Sequence, residues 1–238
     1  MRLLAGFVAL MGTTLLFAGP KDKIPAPPVL RWQEGTPGCD LARGEDGKDR
    51  YTVSTTQFAI TLIVDSQELE KSRRTLGHIL SLQVRARLTD AGTLEVRPEA
   101  ASLELVRHHR VRLPSLDPDD TAAKLQTEAD ELVYRSEKEI QKHPEKKLEL
   151  ETKLREQQKL TAQWQDFLTT RALRGTLLDG GRSEISGWIF FPARSKWAGD
   201  WKEREDFILR LPTARGVIEF PFTLPPQGEP PALRRRPA

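Results

Sequence analysis

Asparagine is absent from this 238-residue chain and cysteine occurs once. The first absence removes every Asn-x-Ser/Thr acceptor, so N-glycosylation is excluded. The second excludes an internal disulfide framework, and the core must hold by burial alone. Cys39 is then a free thiol or an intermolecular link, the unpaired loop thiol being the simpler reading. Charge of one sign is lacking too. Lys and Arg number 37 against 34 Asp and Glu, a formal balance of +3. Nucleic-acid binding needs basic residues concentrated on one face, and so small an excess does not supply them.

The apolar run at the start is short as well. Residues 3–18 are almost wholly apolar or small, follow Met1-Arg2, and stop at Gly19-Pro20-Lys21-Asp22. About 16 residues fall short of the roughly 20 that cross a bilayer. The pattern predicts a signal peptide over 1–19, cleaved near Ala18, and a secreted or periplasmic protein. Anchoring by an uncleaved N-terminal segment is the alternative.

What is present divides by the rhythm of its side chains. Residues 20–50 are rich in Pro, Gly and charge and read as an extended leader, with Trp32 free to dock on the folded body. From Tyr51 large apolar residues recur at a spacing of two: Tyr51, Val53, Phe58, Ile60, Leu62 and Val64, then Leu80, Leu82, Val84 and Ala86. That alternation predicts half-buried strands across 51–117. The period then switches. Asp117 can cap a helix that opens on Pro118, and Leu125, Ala129, Leu132, Val133, Ser136 and Ile140 follow at threes and fours. His143-Pro144 interrupts, and Pro144 can open a second helix whose seam runs Leu150, Leu154, Gln157, Thr161, Trp164 and Leu168. Two helices of 25 to 30 residues would each run about 40 Å. A hairpin over 118–173 is expected, since neither seam can stay bare in water. Strands return over 174–224, and the Pro- and Arg-rich tail 225–238 is expected to be disordered.

The stretch from Leu178 to Pro192, LDGGRSEISGWIFFP, resembles a hairpin of bacterial exported immunoglobulin-like domains, the telokin-like, lipoprotein-associated group. A tight Gly turn leads there to a small polar run, a Gly, and an apolar strand ending in Phe. Phe207 to Leu211 and Ile218 to Phe222 resemble the closing strands of such domains. The usual Pro before the turn glycine is Asp179 here, and the helical block is an addition to the pattern. The resemblance implies a fold and an envelope location, with no activity attached. The expected fold is mostly β with an α insertion: an immunoglobulin-like antiparallel β-sandwich interrupted by a long antiparallel helical hairpin.

No constellation for catalysis emerges. Gly181-Arg182-Ser183-Glu184-Ile185 lacks the second Gly of a nucleophile elbow. His108 and His109 are adjacent on a strand and point to opposite faces, so they do not share a metal easily. Asp117, Asp119 and Asp120 lack a Gly-containing calcium loop and read as helix-start chemistry. The reading is therefore a protein that is no enzyme and takes no metal or cofactor. His108, Arg110 and Arg112 form a basic stripe that, with Arg234 to Arg236, offers peripheral contact with an anionic surface. The expected partner is another envelope protein or a second copy, met by the hairpin through Leu150, Leu154, Gln157, Thr161 and Trp164. The polar seam residues Gln157 and Thr161 suit a role in register or oligomer state. A carbohydrate- or cell-wall-binding module stacking sugars on Trp188, Trp197 and Trp201 is the alternative, against the plainer reading that these rings fold back over the sandwich.

Overall fold

The computed structural model describes residues 27–65, 79–107, 111–193 and 204–224. The signal segment 1–19, His78, His108, His109, Arg110, Trp197, Trp201 and the tail 225–238 lie outside the described residues.

Two antiparallel-rich sheets share one apolar core. The first sheet orders β10 (Glu184–Pro192), β5 (Ile79–Leu88), β4 (Phe58–Val64), β3 (Asp49–Ser54) and β2 (Cys39–Arg43). The second runs β1 (Val29–Arg31), β12 (Gly216–Leu224), β11 (Glu205–Thr213), β6 (Leu94–Val96) and β9 (Thr176–Leu178), with β7 (Ser102–Leu105) also on β11 and β8 (Val111–Pro114) on β7. The alternation read from the sequence is the burial pattern observed. β4 buries Phe58, Ile60, Leu62 and Val64 and leaves the residues between half-buried. Both sheets contribute to the core, where Tyr51 meets Phe222 across the layers at 6.4 Å and Phe207 stacks on Phe222 at 5.4 Å.

The leader needs correction. Residues 29–31 and 39–43 are strands, and β3 begins at Asp49. Their pattern hid them because both strands lie at sheet edges. β1 is exposed on all three side chains, and Leu41 of β2 is 42% exposed. Backbone pairing holds them, so no apolar rhythm is needed. Trp32 does dock: it is buried edge-on against Tyr51 at 5.0 Å, and its indole N–H donates to the Asp40 carbonyl. Gly38 makes the turn into β2 feasible. Its φ is +83°, and a Cβ there would stand 2.4 Å from the Ser54 carbonyl oxygen.

Between β8 and β9 the chain forms α1 (Pro118–Lys142) and α2 (Lys147–Arg171). The Asp117 carboxylate accepts from the backbone N–H groups of Asp119 and Asp120 and so satisfies two orphan donors of α1. Pro144 opens a 3-10 turn (Pro144–Lys146) that leads into α2 at Lys147. Asp117→Ala should lower stability by about 1 kcal/mol. A thermal melt followed at 222 nm should fall by about 2–4 °C.

Both ends of the helical block are fastened to one strand edge. Just before α1, the Leu116 N–H donates to the Phe190 carbonyl at 2.8 Å; just after α2, the Leu173 N–H donates to the Trp188 carbonyl at 2.8 Å. β10 is the outermost strand of its sheet, so these bonds also close an edge that would otherwise offer itself for pairing. The close approach requires Gly187: a Cβ there would lie 2.6 Å from the Leu173 nitrogen and 2.7 Å from its Cα.

On the other sheet, five strands carry an alternating charge ladder: Arg112, Glu104, Arg210, Glu219, Arg31. Arg210 Nε reaches Glu219 Oε1 at 2.7 Å and its Nη1 bonds Glu104. Arg112 and Arg31 close the ends at 3.4 and 3.3 Å. Arg112, expected in a basic stripe, is thus paired with a buried carboxylate.

Candidate functional site

The helix pair is the feature with surface still to be accounted for. The N-terminal end of α1 meets the C-terminal end of α2. Gln165 Nε2 donates to the Ala122 carbonyl at 3.2 Å and to Gln126 Oε1 at 3.0 Å, and Arg174 clasps Asp119 at 2.6 and 2.8 Å. The Arg174 hydrogen bond holds the Asp119 carboxyl below its usual range. Ala122, Leu168, Ile79 and Phe190 form a small cluster with Phe167 and Trp188 packed against it. The buried apolar residues that the helices share with the sheets gather in this foot cluster. Gln165→Leu should cost about 1 kcal/mol by removing both bridging bonds, read as a drop of about 2–4 °C in the melt.

The seam expected from the sequence divides in two. Trp164 belongs to the foot: its ring meets Phe167 edge-on at 5.4 Å, and Phe167 in turn contacts Trp188 at 5.6 Å and Phe190 at 5.8 Å. Thr161 is buried, Gln157 is exposed, and Leu150 and Leu154 are half-buried further out. Gln157 and Thr161 line a groove of about 200 Å³ with Glu128, Leu132 and Arg135 of α1. Leu132 and Leu160 are each 37% exposed, Tyr134 is 58% exposed and Leu148 78%. Helices of 25 residues extend about 37 Å, so most of their length stands beyond the foot cluster.

Trp188, the one described ring of the expected sugar-stacking trio, is half-buried and turned to packing on Phe167. It lines a recess of about 150 Å³ at the foot, with Glu99, Arg174 and Leu173. Phe167 and Leu160 were missed as site residues. Phe167 had a readable signal, standing three residues after Trp164 and beside Leu168.

Among the described residues no three His, Cys, Asp or Glu side chains gather as a metal site would, and no helix is long and apolar enough to cross a membrane. Compared with protein-family models, curated proteins and solved structures, the chain matches none.

Proposed function

We propose that this chain is a non-catalytic, exported interaction module in which an immunoglobulin-like β-sandwich displays a helical hairpin as its protein-contact element. The observation behind this reading is a helix pair seated on the sheets by a cluster at its foot, with large apolar side chains exposed further along it. Leu132, Leu148 and Leu160 burden a free surface unless something covers them. Export rests on the first nineteen residues, whose charge, apolar run and small-residue exit suit a signal peptidase. A sugar-binding role through Trp188, Trp197 and Trp201 has less behind it, because Trp188 gives its ring contact to Phe167.

A photo-reactive residue placed at Leu132, Leu148 or Leu160 in exporting cells should yield crosslinked products, while the same probe at Leu177 on β9 should yield none. Products from Leu177 alone would sink the contact role. Intact mass of the exported protein should correspond to a chain beginning near Gly19. Retention of Met1 would leave the signal reading without support.

A further inference from the structure

We infer that the outer edge of β2 takes an extended segment of a partner protein as an added strand, with an apolar residue beside Leu41 and a basic one beside Asp40. This contact is distinct from the one proposed for the helix pair, and each can fail alone.

The backbone supplies the first half of the case. The Ser54 N–H donates to the Gly38 carbonyl at 2.7 Å, and from there the register runs Cys39 against Val53, Asp40 against Thr52 and Leu41 against Tyr51. Residues of an antiparallel ladder bond their neighbour alternately. Asp40 and Ala42 therefore spend their backbone groups on β3, while Cys39, Leu41 and Arg43 turn theirs outward. The Cys39 N–H is taken by the Thr36 carbonyl at 2.9 Å. Leu41 keeps a donor and an acceptor on the open side, and no described strand lies beyond it. Pro and Lys, which blunt edge strands, are absent from the five residues of β2. By contrast β8 ends on Pro114, and β1 and β9 are only three residues long. Arg43 is turned back to Asp49 at 3.0 Å. The edge is also held in shape, because the buried Trp32 donates its indole N–H to the Asp40 carbonyl at 3.1 Å. A strand arriving there orders little besides itself.

Side chains supply the second half and say what the arriving strand carries. Leu41, Tyr51, Leu62 and Val84 form one row across the core side of the sheet, and Leu41 stands 42% exposed at its end. An apolar residue opposite Leu41 continues that row. On the other face the exposed Asp40 carboxylate meets no cation among the described residues. Arg50, diagonal to it across the ladder, is taken by Asp46 at 2.7 and 3.0 Å, and Thr52, directly opposite, bonds Thr61 at 2.9 Å. A lysine or arginine on the added strand answers that charge. A second copy fits poorly. Pairing two β2 strands antiparallel about a two-fold at Leu41 would bring the two Asp40 carboxylates onto one face about 7–8 Å apart. Recognition is thus by main-chain pairing, with alternate side chains setting the preference.

Amide chemical shifts of the full chain, purified from an exporting host, test this with a blocked seven-residue peptide alternating valine and lysine. Addition should shift the amides of Cys39 to Arg43, slow hydrogen exchange at Leu41, and saturate with a Kd below about 1 mM. The same peptide with glutamate in place of lysine should bind about 5-fold more weakly. Asp40→Lys should reverse that preference with the thermal melt unchanged, because the side chain is exposed. Leu41→Pro removes the outward N–H and leaves the bonds to β3, so it should abolish binding of both peptides. Absence of any shift in β2 at about 5 mM peptide overturns the docking edge. So does binding that survives Leu41→Pro, or a wild type that prefers neither peptide. A Leu41 amide that moves on dilution of the protein alone, with a dimer in sedimentation velocity, would give the edge to a second copy and equally overturn the partner strand. None of these results touches the helix contact, which the probes at Leu132, Leu148 and Leu160 read separately.

Discussion

Replacing Arg210 with leucine should destabilise the protein by about 3–5 kcal/mol, because the change leaves buried carboxylates without their central cation. Glu104 is 3% exposed and Glu219 7%, and Arg210 lies between them with bonds to both. Marginal stabilities of about 5–15 kcal/mol make this a loss of about a fifth or more. The melt should fall by about 6–20 °C. Acid gives the sharper reading. Burial pushes the Glu104 carboxyl up, but the hydrogen bond and charge of Arg210, helped by Arg112, outweigh it and hold the group below its usual range. A carboxyl lowered in the folded state contributes stability that is fully present above its unfolded value of about 4.3 and fades as pH falls through the folded one. In Arg210→Leu the sign reverses. Burial opposed only by Arg112 raises the group, so its ionised form costs the variant less stability as pH falls from 7 toward 4. Urea titrations at pH 7 and pH 4.5 should show the gap between wild type and variant narrowing. A constant gap would mean that the ladder is solvated and worth little.

Gly187→Val should cost about 3 kcal/mol or more, near the upper end for overpacking. The contacts it would violate are backbone atoms, the Leu173 nitrogen at 2.6 Å and Cα at 2.7 Å, which cannot rotate aside as a side-chain tip would. Relief requires the segment after α2 to lift from β10, breaking the bond from Leu173 to Trp188 and loosening the foot cluster. Denaturation should show a lower midpoint, and amide exchange at Leu173 should quicken. Gly180→Ala is the control, since nothing lies within 4 Å of its Cβ position. Equal midpoints for Gly187→Val and Gly180→Ala would refute the close approach.

Side-chain rhythm made the larger divisions readable. β4 buries every second residue throughout, β5 and β12 do so over part of their length, and Asp117-Pro118 marked the start of α1 to the residue. β1 and β2 were illegible because an edge strand is held through its backbone, which leaves no trace in composition. The site was half legible. Gln157 and Thr161 sit in a coiled-coil spacing and do line the groove, whereas Trp164 shares that spacing and packs at the foot. Periodicity gives the face of a helix, not how far along its axis the neighbouring sheet reaches. Gly187 could be seen as a glycine interrupting a strand, but the backbone it makes room for comes from Leu173, on the segment beyond α2.

The doubly fastened helix pair also bears on how quickly the protein can find its structure. Val96 pairs with Thr176, so β6 and β9 must meet across roughly eighty intervening positions, a closure whose entropic cost grows with the logarithm of the span. Helices coil in about a microsecond from near neighbours alone. Once α1 and α2 lie side by side, the effective tether is that of the short flanking segments, roughly a third as long, and the search is eased by about 1 kcal/mol. Substitutions that loosen the pairing, such as Gln165→Leu, should therefore slow refolding more than they hasten unfolding, and the refolding arm of a chevron plot should carry the change.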